Sequence, residues 1–415
     1  MEFVAFVGEN INPKEELLLF LEEDILQHLK GLQTLQGKGY SIGIINKHLL
    51  SHFNHRFEKT PFSYLYTFTI PLETPHLLCF SAGSSKLPKA VLRTHTSWIS
   101  SFSIQQQLLE YPMNTKSLII GKLSHSLHFF GLLESFHRNQ LPEVLPVFSP
   151  KRFFELCRKN PPDLLYATPA QLWLLVKYHE QIACPPVSTL KFILLGGARV
   201  QPALISAFQK IAPRAAIRVF FGATETSYIS FKKADDPVDS VGKLCPGVAV
   251  QILDKKHQFV PNSTTGFIWV KSNQLLSKII LGSDTIDRNQ EGYVCIGDRG
   301  YLDDSNHLYF KGRKDQVVTV ASQKISLDAL EETLKSLLNT EEIAVINIPN
   351  LVKENELYIL VSKVINQEIK KNIRFELQTR FGSFVVPKKI ISVTKWPLLA
   401  SGKTNRTQLK KIALG

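Results

Sequence analysis

Cysteine, methionine and tryptophan are scarce in this chain, with 5, 2 and 4 copies among 415 residues. The cysteines, Cys79, Cys157, Cys184, Cys245 and Cys295, are scattered, and no C-x-x-C pair occurs. That excludes a disulfide scaffold and a zinc ribbon, and each thiol is expected to be a small buried apolar group. No stretch approaches the roughly 18 consecutive apolar residues of a membrane helix. The run Leu17 to Leu21 is fenced by Glu15, Glu16, Glu22 and Glu23. The opening MEFVAFVGEN has no basic n-region, so the cytosol is the expected location. No Walker loop, internal repeat or low-complexity tract is present.

Acidic residues are also in deficit. There are 49 Lys+Arg against 36 Asp+Glu, a net charge of +13. Such a balance suits anionic partners: nucleic acid, a membrane surface, phosphorylated ligands or an acidic protein. The stretch from Gln316 to Gly415 holds 15 Lys+Arg and 9 Asp+Glu, so a quarter of the chain carries almost half the excess. No basic stripe is interleaved with aromatics and no nucleic-acid motif appears, so nucleic acid is not an expected partner. Apolar residues at 44% and charged residues at 20% describe an ordinary globular chain rather than a disordered one. The length predicts two or three domains.

Asn12 suits an N-cap, Pro13 the first helical position and Glu15 the third residue after the cap. With Leu18, Leu21, Ile25 and Leu29 following, the pattern predicts an opening helix. From Leu77 onward, short apolar runs such as HLLCFSAG, KSLIIGKL, LKFILLGGA and IRVFFGATE alternate with helix-period segments. This predicts α/β layering with largely parallel sheets. Strands are expected at Val248 to Asp254, Gly266 to Lys271, Val294 to Asp303 and Leu308 to Lys311, forming a β-rich region. Beyond Arg313 a small α+β unit is expected, with helices at Ser326 to Leu338 and Gln367 to Phe381. Its strands are Ile343 to Ile348, Leu357 to Val364 and Lys389 to Val393.

Four segments carry candidate chemistry. FSAGSSKLPKAV, Phe80 to Val91, combines small residues, hydroxyls and lysines, the makings of a phosphate-binding loop or simply of a surface loop. VFFGATETS, Val219 to Ser227, ends an apolar run in a turn. Its Thr224 and Glu225 suit a phosphate oxygen and Mg²⁺, or merely cap a helix. Gly297-Asp298 and Gly312-Arg313 pair a turn carboxylate with an arginine, which suits a ribose or a surface salt bridge. WPLLASGKTNRTQL, Trp396 to Leu409, is a polar loop around Lys403 or a disordered tail.

In their order these segments resemble the adenylate-forming superfamily of acyl-CoA and aryl-CoA synthetases, peptide-synthetase adenylation domains and luciferases. The matching residues are FSAGSSKLPKA, His128 to Gly131, Gly196-Gly197-Ala198, Phe221 to Glu225, Ile296 to Asp298, Gly312 to Asp315 and Ser401 to Lys403. The segment Ser240 to Asp254 also resembles a linker of that family, and the resemblance spans about residues 75 to 412. It implies an α/β fold. A large N-terminal domain, 1–314, would hold mostly parallel sheets between helices plus a β-rich subdomain. A small mobile α+β lid, 315–415, would follow.

The resemblance also implies roles. Ser81, Gly83, Ser84, Ser85 and Lys89 would line a loop over the β- and γ-phosphates. Phe221 would stack on adenine beside Gly222, with Gly196, Gly197 and Ala198 as the opposite wall. Thr224 would touch the α-phosphate and Glu225 would hold Mg²⁺. Asp298 and Arg313 would bind ribose, Lys403 would bridge carboxylate and α-phosphate, and Asp315 would be the hinge. His128, Phe129 and Gly131 would border the acyl pocket, although a packed core imidazole is an equal reading of His128. His125 and His128 lack a nearby third ligand, so a metal is not expected there.

The implied reaction activates a fatty or aryl carboxylate with ATP and passes the acyl group to CoA or an acyl carrier protein. The alternative is a nucleotide-binding relative with little or no turnover and an interaction role. Lys86, Ala82 and the short N-terminal part motivate it, and the retained Thr224, Glu225, Asp298, Arg313 and Lys403 speak against it. Ala82, Lys86 and Ala90 replace a Ser and two Gly in the phosphate loop, although Lys86 adds a compensating charge. Val320 to Leu327 replaces S-G-G-E-x-I-x-P and resembles an AMP-ligase branch linked to carrier proteins. Fewer than half the usual residues precede the phosphate loop, so the first subdomain is expected to be shortened.

Overall fold

The computed structural model describes residues 16–22, 24–46, 49, 57–59, 64–67, 74, 76–80, 89–198, 200–281, 286–313, 317–320, 323–350, 354–399 and 403–415. The chain forms two compact units. One gathers Met1–Ala234, Leu244–Ala249 and Lys271–Ile286; the other gathers Asp235–Lys243, Val250–Val270 and Asp287–Gly415.

The first unit contains two sheets. In one, the strands Ser227–Lys232, Ala216–Ala223, Phe192–Leu195, Leu164–Ala167, Ser117–Ile120 and Glu143–Leu145 lie side by side in that order. All neighbours are parallel except the Ala216–Ala223 and Ser227–Lys232 pair. Leu164, Leu165, Ile193, Leu194 and Leu195 are wholly buried. Burial on both faces explains why these strands read as unbroken apolar runs rather than alternating ones. Each such side chain contributes about 1.5–3 kcal/mol on removal from water. The helices Pro150–Lys159, Pro169–Ile182 and Pro202–Gln209 each place proline in the first turn and pack on this core. Thr168 and Gln171 form a capping box at the second of them.

The other sheet of this unit corrects the expected opening helix. Glu16–Leu21 is a strand, followed by a 3₁₀ turn at Ile25–His28 and a helix at Leu29–Gly37. The strand runs parallel to Ile42–Ile45 on one side and antiparallel to Tyr64–Thr67 on the other. Leu17, Leu18 and Leu19 are wholly buried. A strand covered on both faces has no alternation, so its leucines match a helical period equally well. Asn12, Pro13 and Glu15 lie outside the described residues.

In the second unit, Ala249–Leu253, Gly266–Lys271, Val294–Leu302 and Leu308–Arg313 form the expected β-rich region around Leu253, Trp269 and Cys295. The α+β part follows the sequence expectation closely. Ser326 caps the helix Leu327–Leu338, its hydroxyl accepting from the Ala329 N–H. The helix Gln367–Phe381 spans the expected residues. Strands Ile343–Asn350, Glu354–Val361 and Lys389–Ser392 form a three-stranded sheet that buries Val345, Ile359 and Val361 against both helices.

None of the five cysteines is in a disulfide; four are buried, and Cys184, in the loop after Ile182, is half-exposed. Among the described residues no helix is long and apolar enough to cross a membrane.

Candidate active site

Leu195 pairs with Val219 in parallel register, so Gly196–Ala198 leaves the sheet at its carboxyl edge while Phe221–Ala223 runs on there, paired with the returning strand up to the Thr224–Glu225 turn. That edge is where open α/β sheets bind ligands. Phe220 and Phe221 point to opposite faces of their strand. Phe220 packs on Tyr228 and Phe231, with centroids 4.9 and 6.1 Å away, and its ring fills the space that a side chain at Gly196 would need. Phe221 stands half-buried on the other face, while Gly197 and Ala198 are exposed.

Gly222 sits at a register shift in the hairpin, and a Cβ there would lie 1.8 Å from the Ser227 carbonyl oxygen. Only glycine permits that approach. The turn beyond it is tightly held. The Ala223 N–H donates to Thr226 Oγ1 at 3.2 Å, and the Leu276 N–H donates to the Glu225 carbonyl at 2.9 Å. Ser227 adopts a left-handed φ of 54°. The Glu225 carboxylate is therefore buried, with Lys89 Nζ 3.4 Å from its Oε1. Thr224 is half-buried beside it. Ser81, Gly83, Ser84 and Ser85 lie outside the described residues.

In the second unit, Asp298 faces Arg313 across neighbouring antiparallel strands, and Arg313 Nε donates to Asp298 Oδ1 at 2.8 Å. The following carboxylate, Asp328, accepts from the Arg313 backbone N–H, and burial followed by Glu331 pushes it up to about 6. Gly312 adopts a φ of 105° and lies against Ser326 and Asp328. Lys403 is half-buried beside the Leu398 to Thr404 bridge, its carbonyl accepting from the Leu399 N–H at 2.7 Å. Lys403 and Thr404 are thus tied back to Leu398 and Leu399. Asp315, Ser401 and Gly402 lie outside the described residues.

His128, Phe129 and Gly131 stand on the helix Ser126–His137, which is buried all round from His128 to Phe136. His128 is 1% exposed, and its Nδ1 is 3.0 Å from the Lys122 carbonyl. Burial lowers it to about 4, so the ring is neutral at physiological pH. Phe129 meets Trp98 edge-on at 5.6 Å, and Gly131 lies against the Tyr166 ring. These residues thus pack in the interior against Trp98, Gly121 and Tyr166.

The motifs do not reveal a buried polar network on the same helix. Glu134 and Arg138 form a double contact at 2.6 and 3.0 Å, and both are almost fully buried. Tyr111 and Tyr166 donate to the same carboxylate at 2.6 and 2.9 Å. Arg93 is also buried, bonded to Ser97 and Ser101 and stacked 4.2 Å over Trp98. The i, i+4 charge pair inside SLHFFGLLESFHR was the readable signal for the first; Arg93 left none.

Among the described residues no group of three or more His, Cys, Asp or Glu gathers to hold a metal. One carboxylate and one hydroxyl, Glu225 and Thr224, fit instead a Mg²⁺ that arrives on phosphate and keeps water ligands.

A family model described as AMP-binding enzyme matches residues 36–279. The chain belongs to the AMP-binding enzyme family. This AMP-binding chain is 27% identical over 350 residues to the uncharacterized acyl–CoA ligase YhfT of Bacillus subtilis, covering 83% of itself and 70% of that protein. It shares its fold with o-succinylbenzoate CoA synthetase MenE of Bacillus subtilis, with a TM-score of 0.72 and 18% identity over 98% of this chain and 90% of the other. The anthranilate CoA ligase AuaEII gives 0.71 and 17%, over 99% and 80%. The curated relatives it matches are named as acyl–CoA or long chain fatty acid–CoA ligases.

Proposed function

We propose that this enzyme joins a fatty or aryl carboxylic acid to a phosphopantetheine thiol in two half-reactions. In the first, a carboxylate oxygen attacks the α-phosphorus of ATP, giving an acyl-adenylate and pyrophosphate. In the second, the thiol sulfur attacks the acyl carbon, the thiol proton is lost and AMP leaves. The thiol is that of CoA or of an acyl carrier protein.

The observation that carries this reading is the buried Glu225 carboxylate, held 3.4 Å from Lys89 in a tethered turn at the sheet's carboxyl edge. Two anions must meet in the first step, so charge has to be screened where it develops. Lys89 and the loop before it meet the outer phosphates, and Thr224 meets the α-phosphate. Glu225 holds Mg²⁺, which when bound neutralises phosphate charge. Phe221 stacks on adenine, and Asp298 with Arg313 receives the ribose hydroxyls. Lys403 bridges the carboxylate and the α-phosphate.

In this proposal 1–314 is the adenylation domain and 315–415 a lid that swings at Asp315. Withdrawal of Lys403 admits the thiol. The net charge of +6 from Gln316 to Gly415 suits an acidic carrier protein or the phosphates of CoA.

Carboxylate-dependent exchange of pyrophosphate into ATP tests the first half-reaction against a panel of fatty and aryl acids. Exchange with at least one acid supports the reading. ATP binding by calorimetry without any exchange supports the non-turnover alternative.

A further inference from the structure

Tyr228 lies three residues after Glu225 on the returning strand of the hairpin and is 2% exposed. Its hydroxyl donates to Gln105 Oε1 at 2.6 Å. The amide of Gln105 cannot turn away. Its Nε2 donates to the Tyr111 and Tyr166 hydroxyls at 2.6 and 2.7 Å, and those hydroxyls in turn donate to Glu134. With the amide nitrogen committed on that side, the oxygen must face Tyr228. Glu134 is fixed by Arg138. The chain of contacts runs without a gap from one buried ion pair to the tyrosine beside the turn.

The other end of Tyr228 is held as well. Its carbonyl accepts from Gln274 Nε2 at 3.0 Å, and two residues later the Leu276 N–H holds the Glu225 carbonyl at 2.9 Å. Phe130 and Phe231 flank the ring at 5.1 and 4.8 Å, fixing its plane. Gly222 pairs with Tyr228 across the hairpin, and Ser227 between them sits in the left-handed region. A turn with such a backbone persists only when its surroundings determine it.

We propose that Tyr228 is a positioning residue. Its hydroxyl, anchored on Gln105, sets the rotation of the Ala223–Ser227 turn and so the placement of the Thr224 hydroxyl and the Glu225 carboxylate. This rests on the roles proposed above for those two groups. A hydroxyl deep in the molecule thereby acts on phosphate and Mg²⁺ binding that it never touches. Misplacement by about 1 Å at a reacting centre can cost about 10²-fold in rate.

The test compares wild type, Tyr228→Phe and Ser135→Ala. The second variant removes a buried hydroxyl bonded to the Gly131 carbonyl, on the same helix as Glu134 but away from the turn. Two measurements are made on the full chain: hydrogen exchange of the 222–228 segment, and pyrophosphate exchange across a Mg²⁺ titration. The expected Tyr228→Phe protein melts near wild type and exchanges the 222–228 amides about 10-fold faster. It loses about 10-fold or more in kcat with the KM for ATP held within about twofold, and needs several-fold more Mg²⁺. Ser135→Ala shows none of these changes.

Wild-type hydrogen exchange of the segment in Tyr228→Phe overturns the proposal. So does unaltered kcat and Mg²⁺ dependence, or the same loss in Ser135→Ala. A wild type without pyrophosphate exchange sinks the ligase reading instead; hydrogen exchange then still decides whether the tether exists.

Discussion

Lys89 Nζ stands 3.4 Å from Glu225 Oε1, joining the residue just before the strand Ala90–Thr94 to the turn after Ala216–Ala223. The two side chains are 18% and 7% exposed, so solvent screens their attraction little. In the proposed reaction, the carboxylate placed by this pair receives the cation that arrives with phosphate. Glu225→Ala is expected to lower kcat for pyrophosphate exchange by about 10²-fold while ATP binding changes much less. Exchange rates measured over a Mg²⁺ series check this. A variant at wild-type rate and Mg²⁺ dependence removes Glu225 from the site.

Asp298 faces Arg313 at 2.8 Å, and its proposed partner is a ribose. A hydrogen bond to a charged group is worth about 1.5–3 kcal/mol, or about 10- to 100-fold in affinity. Wild type should therefore bind ATP that much more tightly than 2′,3′-dideoxy-ATP. Asp298→Ala should bind the two nucleotides alike. Calorimetry reads both constants, and a variant that discriminates as wild type does rules out the ribose contact.

Asp328 makes a pH prediction. Burial first and Glu331 second raise it to about 6 from an ordinary 3.8, against the opposing pull of Arg406 and the Arg313 N–H. The native state then holds the proton more tightly than the unfolded chain, so stability falls as pH rises from about 4 to 6. At pH 7 the ionised group costs up to about 3 kcal/mol. Asp328→Asn keeps an oxygen for the Arg313 N–H and cannot ionise. It should be the more stable protein at pH 7, with the difference gone near pH 4. Denaturant midpoints at several pH values decide, and a variant less stable at pH 7 contradicts the assignment.

The β-rich and C-terminal elements were legible in the sequence, because short apolar runs are set off there by helices that carry caps such as Ser326 and Asn366. It misled at Glu16–Leu21, where a strand buried on both faces shows no period of two. The turn at Gly222 to Glu225 was legible as a motif. What holds that turn was not. Tyr228, Gln105 and Gln274 meet across 46 to 123 positions of sequence, and no local pattern encodes a contact at that separation.

The most direct test of the account is Lys403→Ala in carboxylate-dependent pyrophosphate exchange, run beside wild type and beside ATP binding. Wild type should exchange only when an acid is present. The variant should lose about 10²-fold or more of that rate while binding ATP within a few-fold of wild type. Absence of wild-type exchange with every fatty and aryl acid tried, or a Lys403→Ala protein at full rate, would contradict it.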